Sequence, residues 1–183
     1  MLFRSYKVPE DLLTIDLGNL YPEMKNMRLR GRQVGNKVVP YYSRAELLQQ
    51  NLLSGKELLW VDSAIEAFFL QVQGSGRVVI EETRETVRVA YADQNGHPYR
   101  SIGRYLVERG ELSLEQASMQ GIKAWAAANP ARQQELLNAN PSFVFFREEK
   151  ISDPSKGPKG ALGVSLTDRK STRLNSSHTD ISR

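Results

Sequence analysis

The chain passes from helix to strand where it reads Ser63-Ala64-Ile65-Glu66-Ala67-Phe68-Phe69-Leu70-Gln71-Val72-Gln73-Gly74-Ser75-Gly76. Ser63 and Glu66 have the spacing of a capping box, which predicts that a helix begins here. Gly74 is suited to end that helix, because glycine adopts the left-handed conformation of a helix C-terminus. A short helix followed at once by a strand indicates a mixed α+β domain.

The same two patterns recur on either side of this stretch. Residues 77–93 predict a hairpin whose Val87, Val89 and Tyr91 share one strand face. Nearer the N-terminus, Gly35-Asn36 separates two strand-like runs, residues 27–34 and 37–39, and predicts a second hairpin. A further capping box at residues 43–46 predicts a short helix that continues to about residue 53.

The second half of the chain reads mainly as helices. Ser101 predicts the N-cap of a helix that ends at Gly110, and Ser113 predicts the start of the longest helix, which runs to about Ala128. Pro130 suits the first position of another helix. Residues 143–147 then form a final strand. The predicted fold class is α+β, with an antiparallel, β-barrel-like sheet, several short helices and a disordered C-terminal tail.

Composition narrows the function classes. Of 183 residues, 40% are hydrophobic and 25% are charged, which is ordinary for a soluble globular protein. There is no cysteine, so a disulfide framework and a thiolate metal site are excluded. No run is apolar enough to span a membrane, and the N-terminus lacks the pattern of a signal peptide. We expect no cofactor and no metal, and a net charge of +4 is too small to argue for nucleic acid.

Two loops carry the candidate binding residues. Gln73, Gly74, Ser75 and Gly76 combine hydrogen-bonding side chains with glycines that let a ligand approach the backbone. An ordinary tight connection that needs a positive φ explains the same residues, and spacing alone favours that interpretation.

The second loop presents a ring, a guanidinium group and a hydroxyl group in succession, in residues Tyr99, Arg100 and Ser101. These groups suit the faces and carboxylates of sugars. The alternative is that Tyr99 fixes the turn to the core while Ser101 only caps the helix. The two interpretations are compatible.

Other polar and aromatic residues give weaker signals. His97 is the only histidine outside the tail, and it lies four residues after Asp93, so a general-base pair is a minor hypothesis. Phe143, Phe145 and Phe146 alternate across a strand, and we expect at least two of them in the core while one ring lines a groove.

Many short matches, in the same order, resemble the insert domain of the lytic murein transglycosylase A family. They run nearly continuously from about Tyr6 to Gly163 and take in both candidate loops. They include Val8-Pro9-Glu10-Asp11-Leu12, Val38-Val39-Pro40-Tyr41-Tyr42-Ser43-Arg44-Ala45-Glu46, Asn140-Pro141-Ser142-Phe143-Val144-Phe145-Phe146 and Gly157-Pro158-Lys159-Gly160-Ala161-Leu162-Gly163-Val164.

The resemblance implies both a fold and an activity. The family's insert is a β-barrel carried within a double-psi β-barrel domain, and peptidoglycan glycan strands lie in the groove between the two. The enzymes cleave the MurNAc-β-1,4-GlcNAc bond and form a 1,6-anhydro product, as lyases of cell-wall turnover. A single aspartate in the C-terminal part of the barrel domain acts as the acid and then as the base.

The resemblance also implies which parts are present in this sequence. It assigns residues 1–154 to the insert and 155–167 to a linker toward the catalytic barrel, while residues 168–183 read as non-native, adapter-like sequence. No catalytic residue is expected here, because the aspartate module does not appear. We therefore expect glycan binding without cleavage.

The resemblance suggests the groove-facing residues, the partners and the location. The groove-facing candidates are Gln73, Gly74, Ser75, Gly76, Tyr99, Arg100 and Ser101. The expected partners are glycan strands and the double-psi barrel of the same protein, on the periplasmic side of the Gram-negative outer membrane.

An alternative from another class is a basic β-barrel that binds nucleic acid through Arg28, Arg30 and Arg32. A salt titration separates the two hypotheses, because binding to phosphates weakens steeply as salt rises.

Overall fold

A computed structural model describes residues 3–81, 83–149 and 180–181. Strands and short helices alternate along these ranges. The strands are β1 (Phe3–Tyr6), β2 (Leu13–Thr14), β3 (Arg30–Val34), β4 (Lys37–Pro40), β5 (Glu57–Val61), β6 (Ser75–Val79), β7 (Thr86–Gln94), β8 (Val144–Glu149) and β9 (Asp180–Ile181). The helices are α1 (Arg44–Gln49), α2 (Ala64–Gln73), α3 (Ile102–Glu108), α4 (Met119–Ala128) and α5 (Gln133–Asn138).

The strands form three sheets. β1 pairs with β5, β2–β3–β4 form a meander, and β8–β7–β6 form the largest sheet, all antiparallel. β9 joins the edge of β6 in parallel. The chain therefore has the predicted mixed α+β class.

No closed barrel forms among the described residues, although a barrel-like sheet was predicted. Closure requires each strand to hydrogen-bond along both edges. β4 pairs with β3 alone, its residues are largely exposed, and it ends at Pro40, which has no N–H to donate. The alternation of side chains within each strand is visible in the sequence. The pairing between distant strands, which decides whether a barrel closes, is not.

Most helices begin where the sequence predicts, because capping hydrogen bonds between near neighbours fix these positions. Ser43 and Glu46 form a reciprocal capping box at α1. The Ser63 side chain accepts a hydrogen bond from the Glu66 backbone N–H at α2, and Gly74 ends that helix with φ 78°. α2 spans 10 residues between these two caps.

Two predicted helix boundaries were wrong. α1 ends at Gln49 rather than near residue 53, because Asn51 adopts a left-handed φ of 51°. The helix predicted from Ser113 begins instead at Met119, with Ser118 as its N-cap. Residues 113–117 make only a capped turn, and a Cβ on Gly121 would lie 1.8 Å from the Gln116 carbonyl oxygen, so the chain turns sharply between them.

The core consists of three clusters of buried side chains. The helical cluster joins α2, α3, α4 and α5 around Phe68, Leu106 and Trp125. A second cluster packs Tyr41 and Phe143 against α1, and a third packs Leu70 of α2 onto the largest sheet. Because α2 contributes to two clusters, its C-terminal end is held in a fixed position relative to β7 and β8.

None of the helices in the described ranges is long and apolar enough to cross a membrane. The predicted linker, residues 155–167, lies outside the described residues. So does the predicted disordered tail, apart from the two residues of β9.

Candidate functional site

A groove of about 600 Å³ opens where five separate segments meet. They are residues 27–29 before β3, the end of α2, the inner face of β7, the turn at residues 96–99, and the start of β8. Its volume lies in the range of small-molecule and cofactor sites. The lining is mainly apolar and aromatic, with a few amide and hydroxyl groups placed among those side chains.

Asn95 holds the turn that carries His97 and Tyr99 of the groove lining. It is fully buried, and its amide nitrogen donates to the carbonyl oxygens of Tyr42 (2.8 Å) and Pro141 (2.9 Å). Its side-chain oxygen accepts from the Phe143 N–H at 2.8 Å. Buried polar groups are stable when every donor and acceptor is matched, so Asn95 ties the turn to the segment after β4 and to the segment that leads into β8.

Gly96 brings this turn against β3. Its φ is +82°, and a Cβ there would lie 2.8 Å from the Cβ of Arg30 and 3.0 Å from the Arg30 backbone nitrogen. Arg30 in turn binds Asp93 through Nε, at 2.9 and 3.1 Å to the two carboxylate oxygens. The Arg30 charge is therefore compensated within the groove wall.

Arg44 supports the groove from behind. Only 3% of it is exposed, and it donates to the Asn140 carbonyl (3.1 Å), the Gln71 side-chain oxygen (2.6 Å) and the Ser142 carbonyl (2.7 Å). Its guanidinium group also lies 4.8 Å from the ring centre of Phe68. Burial lowers the pKa of Arg44 to about 9, so the group is still charged at neutral pH.

Two tyrosines give the groove its aromatic surface. Tyr99 is 53% exposed, and the Arg28 guanidinium lies 5.7 Å from the ring centre of Tyr91. Burial of the hydroxyl raises the pKa of both tyrosines, which keeps them neutral and able to donate. A partly exposed ring with a polar end suits a ligand that has both apolar and hydroxylated faces.

The structure places the Gln73–Gly76 loop beside the groove rather than along it. Gln71 and Val72, just before the loop, line the groove. A Cβ on Gly74 would lie 3.8 Å from the Tyr91 Cβ, so this glycine borders a lining residue.

Ser75 and Gly76 belong to β6 and pair with β7. A Cβ on Gly76 would lie 2.5 Å from a Leu70 methyl group, so the absence of a side chain at Gly76 serves core packing.

The residues of the second candidate loop lie together. Tyr99 lines the groove, and the Ser101 hydroxyl caps α3 by accepting from the Arg104 N–H at 3.2 Å. The Arg100 backbone N–H donates to the Asn140 side chain at 3.0 Å, and its side chain is exposed. Binding and structural interpretations of this loop therefore coexist.

The hypothesis of an Asp93–His97 pair gains no support from the geometry. Asp93 is bound by Arg30, whereas His97 Nε2 lies 2.7 Å from the Tyr41 carbonyl oxygen. Within the described ranges, no three His, Asp or Glu side chains are grouped so that they could hold a metal ion.

The three phenylalanines in and just before β8 are all core residues. Phe143, Phe145 and Phe146 are at most 1% exposed, so at least two are buried as predicted, and none of the three lines the groove. Val144, between them, points to the groove instead.

The arginine row of the nucleic-acid hypothesis already has partners. Arg30 is bound by Asp93, and the Arg32 guanidinium stacks 4.1 Å from the ring centre of Tyr42. Only Arg28 of the three lines the groove.

Sequence reasoning missed several groove residues. Gln71, Tyr91 and Gln94 line it, and Arg44 supports it, while Arg28 was predicted only as a contact of the nucleic-acid alternative. Gln94 adjoins the Asn95-Gly96 turn and Gln71 precedes Gln73, so nearness to a motif was the available signal. Nothing in the sequence marks Arg44, because its partners are up to 98 positions away.

Fold and groove together define a mixed α+β domain with an open, aromatic-lined cleft. The chain belongs to the family described as the MltA specific insert domain, whose sequence model matches residues 3–147.

Relatives and solved structures agree with this assignment. The chain is 39% identical over 130 residues to membrane-bound lytic murein transglycosylase A of Escherichia coli, covering 70% of this chain and 34% of that protein. The corresponding protein of Vibrio cholerae is 42% identical over 127 residues, covering 68% and 34% of the two chains. The chain therefore spans about a third of the length of these relatives.

Two solved structures show the shared fold. Lytic transglycosylase LtgG of Burkholderia pseudomallei is 47% identical with a TM-score of 0.67, covering 90% of this chain and 42% of that one. MltA from Neisseria gonorrhoeae is 36% identical with a TM-score of 0.74, covering 90% and 46%. At these identities the likeness extends beyond architecture to the family.

Proposed function

We propose that this domain forms one wall of a cleft that binds peptidoglycan glycan strands. The whole protein would cleave the MurNAc-β-1,4-GlcNAc bond, form a 1,6-anhydro product and act in cell-wall turnover. The observation that carries this proposal is the groove in which half-exposed Tyr99 lies among apolar and amide side chains, in a member of the MltA insert family. Its relatives in Escherichia coli and Vibrio cholerae are named lytic murein transglycosylases.

The chemistry of the lining matches an amino-sugar polymer. Sugar rings present apolar C–H faces that pack on aromatic rings, and here Tyr99 and Tyr91 supply those rings. Hydroxyl and acetamido groups need donors and acceptors, which Gln71, Gln94 and Ser142 supply at the groove surface.

The two sequence-predicted loops adjoin lining residues along the chain. Gln73 and Ser75 lie beyond the lining residues of α2, while Arg100 and Ser101 lie beyond Tyr99. Gly74 contributes the left-handed φ of 78° that ends α2, and Gly76 lets β6 pack closely on Leu70. On these grounds we assign Gln73, Gly74, Ser75, Tyr99, Arg100 and Ser101 to the binding surface, with direct contact strongest at Tyr99, and Gly76 to the packing beneath that surface.

Bond cleavage needs a carboxyl group that gives and then takes a proton. Among the described residues that line the groove, none is Asp or Glu. We therefore propose that the 183-residue chain binds glycan but has no turnover, and that a double-psi barrel domain supplies the carboxyl group.

We propose the same layout and location as the resemblance implies. Residues 1–154 form the insert, residues 155–167 lead toward the catalytic barrel, and residues 168–183 are not native to the family. The enzyme acts on the periplasmic side of the outer membrane, where its substrate lies.

Purified chain incubated with peptidoglycan sacculi tests both parts of the proposal. We expect it to co-sediment with sacculi and to release no anhydro-muropeptides detectable by mass spectrometry. Anhydro products would overturn the claim of inactivity, and failure to bind sacculi or soluble glycan strands would overturn the glycan-groove assignment.

A further inference from the structure

The groove has a positive charge that its lining does not compensate. Arg28 lies on the groove surface, and within residues 3–81 and 83–149 no carboxylate comes within ion-pair distance of it. Arg44 lies behind the floor, and its hydrogen-bond acceptors are the neutral oxygens of Asn140, Gln71 and Ser142. The nearby acidic side chain, Asp93, is already bound by Arg30.

Arg28 is also held in a position from which it can bind. Its guanidinium group lies over the Tyr91 ring, 5.7 Å from the ring centre. A stacked guanidinium keeps its N–H edge free for a second partner, and its forked geometry matches a carboxylate. Arg44 adds a long-range field, because a buried charge is less screened than an exposed one.

We propose that Arg28 is a specificity-determining residue that binds a carboxylate of the glycan, so that the groove prefers carboxylate-bearing amino-sugar polymers to uncharged ones. This inference rests on the proposed glycan-binding function. The carboxylate has two possible sources, the lactyl group of a peptide-free muramic acid and the carboxylates of a peptide stem. Either source offers the same planar, bidentate acceptor.

Binding of three ligands of equal glycan length tests the inference and separates the sources. The ligands are an uncharged N-acetylglucosamine oligomer, a peptide-free muramic-acid oligomer and the same oligomer with peptide stems. Isothermal titration calorimetry on the full chain should show tighter binding of at least one carboxylate-bearing ligand than of the uncharged oligomer. That ligand identifies the source.

Substitution of Arg28 then tests the residue. Arg28→Gln should weaken binding of the preferred ligand about tenfold and leave binding of the uncharged oligomer within about twofold. Arg28→Lys should retain part of the preference, because charge remains while the fork is lost. The matched control is Arg109→Gln, which removes the same charge at a half-exposed site on the helical cluster and should change neither affinity.

The outcomes distinguish failure of this inference from failure of the proposed glycan-binding function. If the wild type binds the charged and uncharged oligomers equally, or if Arg28→Gln weakens both by the same factor, the inference is overturned while glycan binding stands. If the wild type binds none of the three ligands, both the inference and the proposed function fail.

Discussion

Arg44 illustrates how a single residue can shape a groove that it does not enter. It is buried, remains charged at neutral pH, and donates to oxygens on two segments that line the groove or adjoin it. A buried carbonyl that loses its donor costs about 1–3 kcal/mol, while loss of a poorly solvated charge offsets part of that cost.

We predict that Arg44→Met lowers the free energy of unfolding by about 2 kcal/mol, because the unpaired oxygens outweigh the relief of desolvation. Urea denaturation monitored by tryptophan fluorescence measures the change. The control, Arg109→Met at a half-exposed site, should stay within about 0.5 kcal/mol of the wild type. Equal losses in the two variants would show that Arg44 has no special structural role.

A second prediction at the residue scale concerns Gly96. Gly96→Ala and Gly35→Ala both force alanine into a left-handed conformation, with φ +82° and +58°, at a cost of about 1 kcal/mol each. Only Gly96 also meets the Arg30 backbone, since the space around Gly35 is open. We expect Gly96→Ala to be the more destabilising by at least about 1 kcal/mol in thermal or urea unfolding. Equal effects would contradict the close approach.

At the scale of elements, helix caps fix where most helices begin. Hydrogen bonds from the Ser43 side chain, and then from its backbone, hold the pKa of Glu46 below its ordinary value of 4.5. The folded pKa is thus below the unfolded one. The contribution of Glu46 to stability is complete above pH 4.5 and is lost as the pH falls through the folded pKa.

We predict that Ser43→Ala lowers the free energy of unfolding by about 1 kcal/mol at pH 7, because α1 loses its capping box. The deficit should shrink at an acidic pH below the folded pKa of Glu46, where the protonated side chain weakens the box in the wild type too. Denaturation curves at the two pH values measure this. Ser54→Ala, at an exposed turn position, is the control and should show no such pH dependence. A deficit that is the same at both pH values would rule out the ionised capping box.

At the scale of the whole molecule, the groove exists because three core clusters hold five segments together. A ligand that binds only this assembled form should stabilise the entire fold by mass action. At a concentration of 100 times Kd, the gain is about 2.7 kcal/mol.

We predict that glycan oligomers raise the Tm of the wild type and that Tyr99→Ala removes most of that shift, because half-exposed Tyr99 supplies an aromatic face of the groove. Differential scanning fluorimetry with increasing glycan measures it. Tyr21→Ala removes an exposed tyrosine that does not line the groove and should keep the full shift. A full shift in Tyr99→Ala would exclude this ring from the binding surface.

The predictable parts of the fold were those governed by near neighbours. The turn at Gly35-Asn36, the cap at Ser63 and the helix end at Gly74 each depend on groups within about four residues. The start of the fourth helix was mispredicted, because Ser113 and Ser118 offer equivalent caps. The close approach of the Gln116 backbone to Gly121 favours Ser118 as the cap.

The sequence by itself determined the mixed α+β class, most caps and turns, and the loop that places Tyr99 in the groove. Those features depend on local hydrogen bonds and on the alternation of side chains along a strand. The tertiary structure alone decided that the strands form three sheets, that Gly76 packs on Leu70, and that Arg28 and Arg44 give the groove its charge. Contacts of this kind join residues tens of positions apart, and no short pattern records which distant segments will meet.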